Sequence, residues 1–194
     1  YVQSVANQAR TRNPEGNWTF SAERAGGGYL IWLGCHYIDL LRWITGHEVT
    51  SVGAITDVVS DTPLEVEDAA ALTMRLDNGA VGTANFGYYL DGTPPKGSKQ
   101  SEITLWGECG WIRMQPGEDD VPVELHSSHP DYASAPYRTT SFTHANVPKA
   151  YGSAWGLQFL DNFAAVCRGQ AVEPVITVRD AGAVMQIIDA AYES

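Results

Sequence analysis

Two alternating runs joined by a tight-turn signal constrain this 194-residue chain more than any other feature. Within residues 66–76, Ala70, Leu72, Met74 and Leu76 fall on one side, and Ala71, Thr73 and Arg75 on the other. A period of two marks a strand with one buried face. Asp77-Asn78-Gly79 follows, and residues 80–89 return. Asn-Gly accepts the left-handed conformations of a tight hairpin, so the two runs are expected to pair antiparallel. Residues 103–106 and 111–114 flank Gly107-Glu108-Cys109-Gly110 and predict a second hairpin. Further strands are expected at 1–9, 49–59, 121–126 and 138–144, with loops at 10–25 and 91–100.

Helical patterns occupy the two ends of this series. Gly26-Gly27-Gly28 precedes a helix expected over about 29–45, with Arg42 in its last turn and Gly46 at its C-terminal cap. Near the C-terminus, Trp155, Phe159, Phe163 and Val166 fit one helix face, closed by Gly169. After Pro174, Thr177-x-x-Asp180 has the residue types of a capping box. It opens a final helix with Ala181, Val184, Met185 and Ile188 inward. The sum predicts a single α+β domain over 1–194. It has an open, mostly antiparallel β-sheet, helices packed on one face, and another face in need of a partner.

The first helix also carries the residues best suited to chemistry. Trp32, His36, Asp39 and Trp43 recur at i, i+4, i+7 and i+11 and so share one face. Leu33, Tyr37, Leu40 and Ile44 form a second, apolar face. Imidazole exchanges a proton near neutrality, which makes His36 the candidate acid or base. Asp39, one turn on, is placed to fix its tautomer. The bland alternative is a histidine satisfied by a backbone carbonyl. Trp32 and Trp43 are either core packing or an aromatic wall for a sugar ring or a nicotinamide.

Other features exclude more than they assign. The net charge of −11, with lysines only at 96, 99 and 149, repels a phosphodiester backbone and argues against nucleic acid. No apolar run reaches membrane-spanning length and no signal-peptide pattern is visible. Cys35, Cys109 and Cys167 are too far apart for a zinc motif or disulfide framework, which suits a reducing cytoplasm. His126-x-x-His129 lacks a nearby third ligand, so no metal is expected. Asn17-Trp18-Thr19 is a sequon in form only. Lys96 and Lys99 sit in a Gly/Pro-rich loop that is solvated or a lid, and His144 and Lys149 bracket Val147-Pro148. There is no G-x-G-x-x-G after a strand, no P-loop and no G-x-S-x-G.

The run GGGYLIWLGCHYIDLLRWITG resembles the signature of the C-terminal domain of the Gfo/Idh/MocA oxidoreductases. VEDAAALTMRLDNGAVGTANFGYYL is similar to that family's central hairpin, ITLWGECGWIRM to its second, and FLDNFAAVCRGQAVEPVITVRDAGAVMQIIDAAYES to its closing helices. The resemblance implies a fold like the C-terminal domains of dihydrodipicolinate reductase and glucose-fructose oxidoreductase. It also implies that the chain is the substrate-binding and oligomerisation domain of an NAD(P)-dependent enzyme acting on a sugar, polyol or derivative by hydride transfer. An N-terminal Rossmann domain, absent from this chain, would hold NAD or NADP and a catalytic lysine. No cofactor is expected to bind this chain tightly alone. A homo-oligomer would form through the open sheet face.

Carried over residue by residue, His36 takes the catalytic or substrate-binding position and Asp39 a structural, orienting one. Gly27 and Gly28 let the backbone approach cofactor or substrate closely. Trp32 stands where the family has an aspartate. An indole cannot accept a proton or grip two vicinal hydroxyls as a carboxylate does, though it can stack on a sugar face. The substitution leaves two expectations: a sugar-binding dehydrogenase domain, or a non-catalytic binding or scaffold domain of the same fold.

Overall fold

The computed structural model describes residues 1–7, 16–90, 99–116, 120–143 and 153–194. Most of the expected 91–100 loop, with Lys96, lies outside these residues, as do residues 8–15, His144 and Lys149.

Among the described residues, eight strands form one open sheet: β1 (Val2–Asn7), β2 (Val49–Asp57), β3 (Ala69–Leu76), β4 (Val81–Leu90), β5 (Lys99–Gly107), β6 (Gly110–Met114), β7 (Asp120–Ser127) and β8 (Tyr137–Thr143). Their spatial order is β2-β3-β4-β1-β5-β6-β7-β8. Every pairing is antiparallel except β1 with β4, which run parallel. The β3–β4 hairpin forms as expected, with Leu72 opposite Ala84 and Arg75 opposite Val81. Gly79 N–H donates to the Leu76 carbonyl at 2.9 Å to close the turn. The second hairpin forms across Gly107 and Gly110.

Four α-helices among the described residues accompany the sheet: α1 (Ala22–Ala25), α2 (Cys35–Thr45), α3 (Ser153–Cys167) and α4 (Val178–Glu193). Two differences from the sequence reading are local. The 10–25 region holds α1 and a short 3-10 turn at Trp18–Phe20. The helix expected over 29–45 is not uniform, because Leu30–Gly34 is a π-helical turn that runs into α2. Gly46 takes the left-handed cap position, with its N–H on the Arg42 carbonyl. Thr177 and Asp180 form both halves of the capping box that starts α4.

The core lies between one sheet face and the pair α2 and α4. Val2, Leu72, Met74, Ala84, Phe86 and Ile103 come from the sheet, and Tyr37, Ile38, Leu41, Val184 and Ile188 from the helices. β1 sits in mid-sheet, so Val5 is buried as well as Val2, Ser4 and Ala6. The buried stripe of α2 falls on Tyr37, Ile38 and Leu41, while the expected Leu33, Leu40 and Ile44 flank it, half-buried. In α4 the inward residues are Val184, Ile187, Ile188 and Ala191, the i, i+3, i+4, i+7 stripe of a straight helix. Ala181 and Met185 are exposed, contrary to expectation. On α3, Phe159 and Phe163 do share a face, with stacked rings 6.4 Å apart, and that face is exposed. No helix among the described residues is long and apolar enough to cross a membrane.

Candidate functional site

The helical segment that carries His36 is fixed at its start by a buried carboxylate. Glu67, just ahead of β3, accepts the backbone N–H groups of Gly28 at 2.7 Å and Leu30 at 2.9 Å, and the Tyr192 hydroxyl at 2.9 Å. Its carbonyl accepts Tyr29 N–H at 3.1 Å. The first N–H groups of a helix have no partner within it and point a partial positive charge outward, so a carboxylate there is well placed. Burial and the Glu67 carboxylate hold the Tyr192 phenol in its neutral form, with its pKa raised.

The glycines are needed by this latch. A Cβ on Gly28 would lie 1.7 Å from the Glu67 carbonyl oxygen, and one on Gly27 would lie 2.3 Å from the Tyr192 hydroxyl. The close approach that Gly27 and Gly28 permit is therefore made by the chain's own Glu67 and Tyr192. Asp68, fully buried, accepts Val59 N–H at 2.8 Å and Ser60 N–H at 3.1 Å and ties down the turn after β2.

The π-helical turn then begins, with Cys35 N–H reaching back to the Leu30 carbonyl. Such turns hold one residue more than an α-turn and re-aim the side chains around them. Gly34 passes close to Phe86, where a Cβ would lie 3.2 Å from the ring. On the outer side, Trp32 is partly exposed and meets Trp18 edge-to-face, with ring centroids 5.4 Å apart. His36 is exposed one turn further on. Trp43 is 74% exposed, so neither helix indole is core. Trp32, His36 and Trp43 are exposed, and Asp39 is half-buried.

Asp39 accepts a hydrogen bond from Arg42 Nη1 at 3.3 Å. Arg42 is itself buried and grips Glu48 with two hydrogen bonds, 2.7 and 2.8 Å long. It also donates to the Asp180 carbonyl at 3.3 Å, joining α2 to the start of α4. The Arg42 hydrogen bonds hold the Glu48 carboxyl below its ordinary range. Burial pushes the Cys35 thiol up.

A hollow of about 360 Å³ opens beside Trp18, lined in part by Phe20, Arg24, Pro63 and Glu65. Asn17 caps the Trp18 turn by accepting Thr19 N–H at 3.2 Å. Two other histidines lie on or beside β7. His126 on β7 stacks on Trp111, and His129 Nδ1 accepts Asp131 N–H at 3.3 Å. Among the described residues no three His, Cys, Asp or Glu side chains gather as metal ligands.

Sequence reasoning missed Trp18, Glu67 and Tyr192, and read Arg42 only as a helix-end cation. One signal for Glu67 was available: Glu67-Asp68 opens a strand whose next residues are apolar, and buried carboxylates require partners. Glu67 and Tyr192 fill the space beside Gly27 and Gly28. Trp32 and His36 are both exposed, one helical turn apart in sequence.

The sequence profile of the GFO/IDH/MocA C-terminal domain matches residues 1–113. Among curated proteins, no relative matches the chain. Three solved structures illustrate the likeness. Levoglucosan dehydrogenase, in complex with NADH and levoglucosan, superposes with a TM-score of 0.71 at 20% identity, covering 100% of this chain and 55% of that one. WlbA dehydrogenase from Bordetella pertussis, in complex with NADH and UDP-GlcNAcA, gives 0.67 at 24%, covering 100% and 50%. Aldose-aldose oxidoreductase from Caulobacter crescentus, complexed with glycerol, gives 0.68 at 21%, covering 99% and 52%. The chain spans about half the length of each.

Proposed function

The chain belongs to the GFO/IDH/MocA C-terminal domain family, and on that premise we propose that it is the substrate-binding and oligomerisation domain of an NAD(P)-dependent oxidoreductase acting on a sugar, polyol or derivative. The observation that carries the reading is an exposed His36 next to the Trp18–Trp32 pair, on a segment held rigid by Glu67. A nicotinamide held by a companion nucleotide-binding domain supplies the hydride acceptor. The residues of this chain do the rest. A hydroxyl-bearing carbon becomes a carbonyl when it gives up hydride and its oxygen gives up a proton. His36 takes that proton on a ring nitrogen or holds the oxygen by a hydrogen bond. Trp32 offers an indole surface to the apolar side of the sugar ring. Asp39, tied to Arg42, keeps the helix surface in place, and Gly27 and Gly28 serve the latch beneath it.

The test is turnover by the full-length polypeptide with NAD and NADP over a panel of sugars and polyols, followed by nicotinamide absorbance. His36→Ala is expected to lower kcat by about 10²- to 10⁴-fold. An unchanged rate rejects the acid–base role.

Trp32 in the aspartate position favours a second reading, a binding or scaffold domain without dehydrogenase chemistry. Tight cofactor binding with no turnover across the panel supports it. We also propose self-association through the open sheet face, where Ile55, Val81 and Trp106 are exposed and Trp111 stacks on His126 and meets the tilted ring of Tyr137. A monomer by light scattering at micromolar concentration counts against that part.

A further inference from the structure

Three successive backbone N–H groups at the entrance to the π-helical turn are answered by one residue. Gly28 N–H donates to one carboxylate oxygen of Glu67, Leu30 N–H to the other, and Tyr29 N–H, between them, to the Glu67 carbonyl. Glu67 is buried, and among the described residues no lysine or arginine pairs with it. Its carboxylate is met by neutral donors alone. The one that comes from outside the turn is the Tyr192 hydroxyl, at the end of α4, which shares Oε1 with Leu30 N–H. A buried carboxylate that loses a donor must shift to recover it or bear the cost of the unmet lone pair.

The two residues gripped by the carboxylate through their N–H groups also open the turn with their carbonyls. The Gly28 carbonyl accepts Trp32 N–H at 3.0 Å, the spacing of an α-helix. The Leu30 carbonyl accepts Cys35 N–H, the spacing of a π-helix. The extra residue is thus lodged between a start held by Glu67 and an end held by the core, where Gly34 passes against Phe86 and Tyr37, Ile38 and Leu41 are buried. Trp32 hangs from the start and His36 follows the end. One residue is about 100° of helical rotation, so the register kept here fixes the direction of Trp32 relative to His36.

We propose that Glu67 and Tyr192 are positioning residues, which together hold the π register and so set Trp32 relative to His36. The inference rests on the reading above, in which Trp32 takes the face of the sugar and His36 its hydroxyl. It adds that the end of α4 acts on that site through a buried carboxylate, without touching substrate. Removal of the Tyr192 hydroxyl loosens Glu67, lets the turn relax toward the α register, and swings Trp32 away.

The test is Tyr192→Phe, which removes one oxygen and leaves the ring. Its first readout is the indole N–H resonance of Trp32 in the 194-residue chain, assigned by its loss in Trp32→Phe. Tyr192→Phe is expected to move this resonance and that of the ring partner Trp18, while those of Trp106 and Trp111 on β5 and β6 stay in place. Gly182→Ala, in the same helix as Tyr192 with open space around it, is expected to move none of them. The second readout is turnover by the full-length polypeptide. Tyr192→Phe is expected to raise KM for a sugar substrate about threefold with kcat nearly unchanged, and to have no further effect on KM once Trp32 is alanine. Glu67→Gln, which keeps one acceptor oxygen, is expected to act in the same direction and more strongly. Unmoved Trp32 and Trp18 resonances overturn the proposal, as does a KM effect that is equally large in Trp32→Ala. Lower thermal stability with both readouts unchanged assigns Tyr192 to stability alone and overturns it too. The two readings fail separately. Moved resonances in a polypeptide without turnover keep the positioning role and reject the dehydrogenase. Turnover with Trp32 unmoved by Tyr192→Phe keeps the dehydrogenase and rejects the positioning role.

Discussion

Gly28 and Glu67 stand in van der Waals contact that no side chain could share. The Glu67 carboxylate accepts Gly28 N–H at 2.7 Å, and its carbonyl oxygen lies 1.7 Å from where a Gly28 Cβ would be. Backbone cannot yield as the tip of a flexible side chain can. Gly28→Ala is expected to cost about 3 kcal/mol, read by urea unfolding. Gly182, inside α4, is the control. A Cβ there meets nothing within 4 Å, so Gly182→Ala is expected to stabilise by about 1 kcal/mol. Equal effects from both would reject the latch.

Tyr192 reports on the same latch at high pH. Its pKa is raised in the fold by burial and Glu67, above the ordinary 10.0. The unfolded chain ionises this phenol first. The stability it contributes is fully present below pH 10.0 and lost as the pH rises beyond it. Tyr192→Phe is expected to cost about 1 kcal/mol at neutral pH, by removing a donor from Glu67. The variant should lose less stability than wild type between pH 8 and 11. Parallel losses in thermal melts would show that Tyr192 is not the titrating group.

Arg42 sets an acid limb. Its hydrogen bonds depress the Glu48 carboxyl below the ordinary 4.5, so the stability this gives is present above that pH. It is lost as the pH falls through the depressed value. Arg42→Met is expected to cost about 2 kcal/mol at pH 7, discounted because the carboxylates are partly exposed. Stability of the variant should vary less between pH 5 and 3 than that of wild type.

Trp32 tests the sugar-stacking role. On the proposed reading, Trp32→Ala in the full-length polypeptide is expected to raise KM for a sugar substrate by about tenfold with a smaller change in kcat. A fall in kcat alone would instead place Trp32 in the chemical step.

The legible parts of this molecule are those whose partners are near in sequence. The β3–β4 hairpin follows from a period of two and an Asn-Gly turn, and the α4 start from Thr177 and Asp180. The helix that carries His36, Asp39 and Trp43, and its Gly46 stop, follow from spacing and cap residues. The π-helical turn does not, because a one-residue excess hardly disturbs an amphipathic pattern. The partners of Glu67 were illegible for a different reason. They lie 39, 37 and 125 residues away, and only the folded chain gathers them. On α3 the sequence reveals an apolar face but not that the chain leaves it bare.

β1 joins two hairpin systems that do not otherwise touch as strands, β2-β3-β4 on one flank and β5-β6-β7-β8 on the other. Six residues from the start of the chain are the keystone of the sheet. Each flank can zip up from local turns, yet neither has its inner edge closed until this segment is inserted between them. Both pairings of β1 join residues distant in sequence, so they close far longer loops than the hairpins do. A chain shorn of this segment would expose two inner edges at once, each open to pairing with a neighbour.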